Sequence, residues 1–153
     1  MLQHIACHLI SCGIMLALAI SGFIIFCCVH KNFAVGFWSI LLGNLAAVSF
    51  HLNWVKGKET LQRWYSKKSL RHLHTIGFLS AVAGFVSLIW YLFTQFYYNS
   101  PVLPYEHSVV TTAVWATLCG IMGIILMHYS HKYELVIEEI PILAETGVIL
   151  YNG

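Results

Sequence analysis

The stretch FAVGFWSILLGNLAAVSFHLNWV, residues 33–55, decides the fold. It contains no Asp, Glu, Lys or Arg. As a helix rising about 1.5 Å per residue it is long enough to cross the roughly 30 Å hydrocarbon core of a bilayer. The same pattern recurs on either side, at residues 5–29, 75–98 and 108–128, again without a single charged side chain. Of 153 residues, 59% are hydrophobic and only 9% are charged, against about 25% charged in a soluble domain. With a mean hydropathy of +0.75, too little polar surface remains to cover a water-soluble globule. The expected fold is therefore all-α, a polytopic membrane protein in which four transmembrane helices form one domain. Gly22, Gly43, Gly84, Gly120 and Gly123 lie inside these spans, where small residues let helix backbones approach. The first span lacks a basic leader, and its apolar run exceeds the ~7–15 residues of a signal sequence. It is read as a retained helix.

Orientation follows from the loops. KGKETLQRWYSKKSLR, residues 56–71, carries Lys56, Lys58, Arg63, Lys67, Lys68 and Arg71 against Glu59 alone. The first loop offers only His30-Lys31-Asn32, and NSPVLPYEH, residues 99–107, has no Lys or Arg. Because basic loops stay on the cytosolic side, the middle loop is expected there, together with both termini and the tail 129–153. Trp64 and Tyr65 in the basic loop suit a short helix lying on the membrane surface.

Nine histidines are many for this length. His4, His8, His72, His74, His128 and His131 fall near the cytosolic face, and His30 and His107 on the other side. Only His51 lies inside a span, where a polar group is expensive and points to function. Helical geometry puts it on one stripe with Asn44, Ala47 and Val48, above Trp54 or Val55. The stripe is predicted to face the bundle interior, with His51 either holding packing together or binding a ligand. Imidazole ligates both free metals and heme iron. Free divalent ions favour several converging ligands, often carboxylates, and no span contains one. Heme needs only one or two axial ligands, aromatic faces such as Trp54, Trp90, Tyr91 and Trp115, and cations near its propionates. The five cysteines, Cys7, Cys12, Cys27, Cys28 and Cys119, show no metal-ligand spacing and read as small buried hydrophobes.

The C-terminal third sharpens this. The run from Trp115 to Tyr129, then YSHKY (129–133) and EEIPILAE (138–145), resembles the heme-responsive-gene family of four-span heme transporters. FLSAV (78–82), His51 within SFHLNW and the aromatic loop around Gln62-Arg63-Trp64 are also similar to the family. The resemblance implies that heme moves from the lumen or exterior to the cytosol as a transported ligand, with none permanently bound and no enzymatic step. It implies that His51 is the helix-two heme ligand and His107 the exoplasmic-loop ligand. Tyr129, His131, Lys132 and Tyr133 become a cytosolic receiving site, with His131 or a tyrosine on iron and Lys132 on a propionate. One departure stands out: the family's Lys-Trp pair after the helix-four tryptophan is replaced by Ile121-Met122. Met122 then offers either a thioether to iron or packing alone.

Two short patterns in the tail resemble endolysosomal sorting signals: Tyr133 to Val136 (Tyr-x-x-bulky) and Glu138 through Ile142-Leu143 (acidic-x-x-x-Ile-Leu). They imply clathrin-adaptor-type partners and an endosome or lysosome membrane location with some at the plasma membrane. The partners expected are thus heme, the lipid bilayer and these adaptors, with no nucleic acid. A bundle of four short helices is small for a transport path, so a homo-oligomer is expected. Two other readings stay open, a bis-histidine membrane cytochrome and a tetraspan adaptor without cargo. The charge asymmetry itself yields a test of topology. Tags at Met1 and Gly153 should be shielded from external reagents in intact cells, whereas a tag beside Pro101 should be labelled. Surface labelling at residue 153 would reverse the orientation.

Overall fold

The computed structural model describes residues 2–58, 60–98 and 109–151, with the side chains of 2–4, 62 and 138–151 outside that description. Its elements are α1 (Leu2–Gly22), a π-helical segment (Phe23–Val29), α2 (Phe33–Gly57), α3 (Leu61–Trp64), α4 (Lys67–Tyr98) and α5 (Val109–Tyr151). Four helical stretches, Ile5–Val29, Phe33–Gly57, Lys67–Tyr98 and Val109–Ile137, are long and apolar enough to cross a membrane. The described residues are all helix and short turns.

The boundaries have local causes. The π-helical winding at the end of the first span leads into the three-residue connection His30-Lys31-Asn32, where Lys31 takes a positive φ of 55°. There the backbone N–H groups of His30 and Asn32 donate back to Ile25 O and Phe26 O at 3.1 and 2.7 Å. Asn32 caps α2 by accepting from the Val35 N–H at 3.3 Å, the ordinary role of a short polar side chain at a helix start. Ser66 caps α4 by accepting from the Ser69 N–H at 3.2 Å. The third span, α4, thus begins at Lys67, eight residues before the expected 75, and its first two turns carry the basic residues beyond the apolar run. The fourth does not stop at His128. Buried Tyr133 and Glu134 and half-buried Ile137 hold it against its neighbours, so the expected tail continues as helix to Tyr151.

Helix α5 is the hub. It packs along α4, crosses α2, and meets α1 through Trp115 and Tyr129. Between α4 and α5 the backbones touch. A Cβ at Gly77 would sit 2.7 Å from both Gly123 O and Met127 N, one at Gly84 2.6 Å from Ala116 O, and one at Gly123 2.7 Å from Gly77 O and Ala81 N. Lipid tails are as apolar as leucine, so this association depends on van der Waals fit rather than on water exclusion. Leu42 and Leu52 on α2 and Met122 on α5, each 0% exposed, belong to one buried apolar cluster. Met122 is thus a packing residue, and Ile121 beside it faces outward. Inside this core the Cys119 thiol donates to Trp38 O at 3.1 Å, and the Trp38 indole donates to the Tyr91 hydroxyl at 3.3 Å, tying α2 to α4.

The contact predicts a hierarchy of glycine replacements. Gly84→Ala and Gly123→Ala should each destabilise the protein by roughly 1–3 kcal/mol, as overpacking does, because backbone cannot move aside as a flexible side chain can. Gly13→Ala should be near neutral, since a Cβ at that position would meet nothing within 4 Å. Thermal unfolding in detergent would measure both; equal melting of all three variants would show the α4–α5 contact to be loose.

Candidate functional site

At the end of the bundle that carries the basic loop, α1, α2 and α5 converge on a cleft. Its foundation is Asn53 on α2, 1% exposed. A carboxamide removed from water must find partners or cost several kcal/mol. Asn53 donates to Ser49 O at 2.8 Å and accepts from the Tyr133 hydroxyl at 2.8 Å. One helical turn before Tyr133 stands Tyr129, whose hydroxyl is hydrogen-bonded to His8 Nε2 on α1. The His8 and Tyr129 rings meet edge to face, 4.7 Å apart. Lys56 Nζ lies 6.0 Å from the Tyr133 ring centre, at the limit of a cation–π contact. Together with Ile5, Lys132 and Val136 these side chains enclose a cleft of about 260 Å³.

Helical period sorts the residues of the YSHKY motif and their neighbours. Tyr129, Lys132, Tyr133 and Val136 share the face of α5 that lines the cleft. His131 and Glu134 point the other way, toward α4. The His131 ring lies 5.7 Å from the His74 ring. The Nδ1 of His74 is 3.1 Å from Met127 O, and since a carbonyl only accepts, Nδ1 there carries the proton. Glu134 Oε1 pairs with Arg71 Nη2 at 3.1 Å. Of the expected receiving site, then, Tyr129, Lys132 and Tyr133 are gathered and His131 stands apart.

His51 is not in the bundle interior, and the stripe reading is corrected. His51, Ala47, Asn44 and Trp54 are all exposed, while the next residues round the helix, Leu52 and Asn53, are buried. The reason is that α2 buries the stripe through Leu42, Leu45, Ser49, Leu52 and Asn53 against its neighbours. On the outer face the His51 Nδ1 is 2.7 Å from the Tyr65 hydroxyl, and the Trp64 ring lies edge-on 5.7 Å away. Burial pushes the Tyr65 hydroxyl above its ordinary pKa, so it keeps its proton; it donates to a bare Nδ1 or, in the other tautomer, accepts from an Nδ1–H. In the tautomer that carries Nδ1–H, Nε2 is the bare nitrogen, as in histidines whose other nitrogen is held by a supporting group.

His107, and the side chains of Glu138, Ile142 and Leu143, lie outside the described residues; Tyr133 is buried and Val136 partly so. The cleft residues that sequence reasoning missed are His8, Asn53 and Lys56. A usable signal existed for His8: with the first and last helices ending on the same side, His8 and Tyr129 fall at one level. Among the described residues no three His, Cys, Asp or Glu side chains converge as for a metal ion. No protein-family model, curated protein or solved structure matches this chain.

The buried pair gives a stability test. Tyr133→Phe should cost roughly 1–3 kcal/mol by leaving the Asn53 carbonyl unpaired. Adding Asn53→Leu should recover part of the loss, since no polar atom is then stranded. Melting curves of the single and double variants decide it; additive losses would mean that the two side chains are not coupled.

Proposed function

We propose that this chain is a heme permease that carries heme from the lumen or exterior into the cytosol. The observation that supports it is the cleft, where two phenols and an imidazole stand between Lys56 and Lys132 at the basic end. Tyrosine oxygen and histidine nitrogen both ligate heme iron, and the lysines are placed to pair with propionates. Ile5 and Val136 supply apolar wall. A cleft of about 260 Å³ is smaller than the ~300–1,000 Å³ of sites that enclose a ligand. It receives an edge of the porphyrin and lets it go, as suits cargo rather than a resident cofactor.

His51 acts earlier on the path. Its Nε2 on the outer face of α2, with Trp64 beside it, offers an axial ligand and an aromatic surface near the level of the cleft. The Tyr65 hydroxyl orients the ring. Orientation with both termini in the cytosol puts the cleft on the receiving side, and the tail patterns direct the protein to endosomes and lysosomes through adaptor-type partners.

Uptake of heme, or of a fluorescent metalloporphyrin, by heme-dependent cells expressing the chain tests the reading. Expression should raise uptake above vector. Tyr129→Phe combined with Lys132→Ala should lower it about tenfold at matched membrane abundance, a loss of roughly 1.4 kcal/mol in the limiting step. Tyr65→Phe should weaken it less than His51→Ala. No uptake by the wild-type chain, or full uptake by the cleft variant, would favour an adaptor without cargo instead.

A further inference from the structure

From Phe37 to Trp54 the exposed residues of α2 are Phe37, Ile40, Asn44, Ala47, His51 and Trp54. Their spacing is 3, 4, 3, 4 and 3, the heptad seam by which one helix packs along another. No described helix of this chain covers that seam. An exposed apolar face alone needs only lipid, but this one carries Asn44 near the middle of a span. Its Nδ2 donates to Ile40 O at 2.9 Å, and among the described residues nothing donates to its Oδ1. Facing hydrocarbon, such a group lacks the partners it would have in water. Asparagine at one core position of a coiled coil is also the residue that sets register and favours a defined oligomer.

We propose that the seam is covered by a second copy of this chain, α2 against α2. Two copies inserted by the same rule run parallel, so a two-fold axis along the membrane normal brings each seam position to its own counterpart. A carboxamide is self-complementary: each Asn44 donates with one N–H and accepts at Oδ1 from the other. Ala47, one turn on, is small enough for the close approach that membrane helix pairs use. Beside the seam a shallow groove between α1 and α2, lined by Ala19, Phe23, Ser39, Gly43 and Asn44, receives the flank of the incoming helix. Ser39 Oγ there is buried without a hydrogen-bond partner. At the other end Trp64, 63% exposed beside His51, holds the second helix off. The seam closes over Phe37 to Ala47 and opens at His51 into a mouth edged by one imidazole from each copy. This last step rests on the heme reading above: the mouth accepts one porphyrin between two chains, with both His51 side chains as axial ligands.

The test uses the full chain in lipid vesicles. A benzoylphenylalanine at position 40 should photo-crosslink to twice the monomer mass, and one at Val86, 60% exposed on α4, should not. Asn44→Leu should raise the dimer dissociation constant about 3- to 30-fold, the range for interhelical polar contacts, measured by energy transfer on lipid dilution, with helix content unchanged. Absence of the position-40 crosslink, or unaltered energy transfer in Asn44→Leu, overturns the pairing. Ferric heme is then titrated into a His8→Ala, Tyr129→Phe background, which removes the imidazole and one of the two phenols of the cleft and leaves only the buried Tyr133. The expected result is one heme per two chains with a low-spin bis-imidazole spectrum that His51→Ala abolishes. One heme per chain overturns the shared mouth. Crosslinking without any heme binding overturns both the mouth and the permease reading and leaves the helix pairing standing.

Discussion

The contact of backbone on backbone between α4 and α5 governs the rest of the structure. With Gly77 and Gly84 set against Gly123, Ala116 and Gly120, α5 has one rotational setting about its axis. That setting turns Met127, His131 and Glu134 toward α4, and Tyr129, Lys132 and Tyr133 toward α1 and α2. The cleft therefore depends on glycines that lie up to several turns away. The same setting puts Trp115 over Gly22 of α1, where a Cβ would lie 2.7 Å from the indole. Two of the three neighbours of α5, α4 and α1, are thus positioned by missing side chains.

Polar satisfaction adds a second layer. Each buried polar residue that reaches across the bundle does so at a place where packing has already fixed the helices: Asn53 with Tyr133, Cys119 with the Trp38 carbonyl, Trp38 with Tyr91. In hydrocarbon these bonds have no competing water, although the unfolded chain in a membrane also finds partners, so each contributes about 0.6–2 kcal/mol rather than its full vacuum strength. Their value lies as much in choosing one packing among several near-equal ones. His51 and Asn44 belong to another category. They are polar, they lie within a span, and nothing in the bundle buries them.

The spans were legible because length and the absence of charge are read directly from the chain. The rotation of each helix was not. In a soluble protein polar residues mark the outward face; in a bilayer both faces are apolar, and the rare polar residue faces inward only if something there receives it. His51 and Asn53 stand two residues apart, and nothing in SFHLNW says which one faces the core. The decision is made by Tyr133, eighty positions away. The end of the fourth span, α5, was obscure for a related reason: histidines, tyrosines and glutamates from His128 onward read as an exit from the membrane, yet Tyr133 and Glu134 are buried by partners on α2 and α4. The receiving motif was half legible, since its residues read as one block in the sequence whereas a helix distributes them over two faces.

The placement of cations also bears on the energetics of the proposed transport. Ferric heme with both propionates ionised carries a net single negative charge. Moving one such charge into a cytosol held negative costs about 2.3 kcal/mol per 100 mV. No cationic Lys or Arg side chain lies within the first two spans before Lys56 except Lys31 at the opposite turn, and the others gather from Lys56 to Arg71 and at Lys132. A cargo anion therefore meets its compensation only on arrival. An exposed ion pair contributes little, typically under about 1 kcal/mol, so two lysines at the cleft rim would receive the propionates without making a trap, and that small gain is given up again on release. A deeper cation would hold the propionates more firmly and slow release, and the last span has no Lys or Arg before Lys132. On the proposed reading, electrostatic assistance is thus confined to the last step.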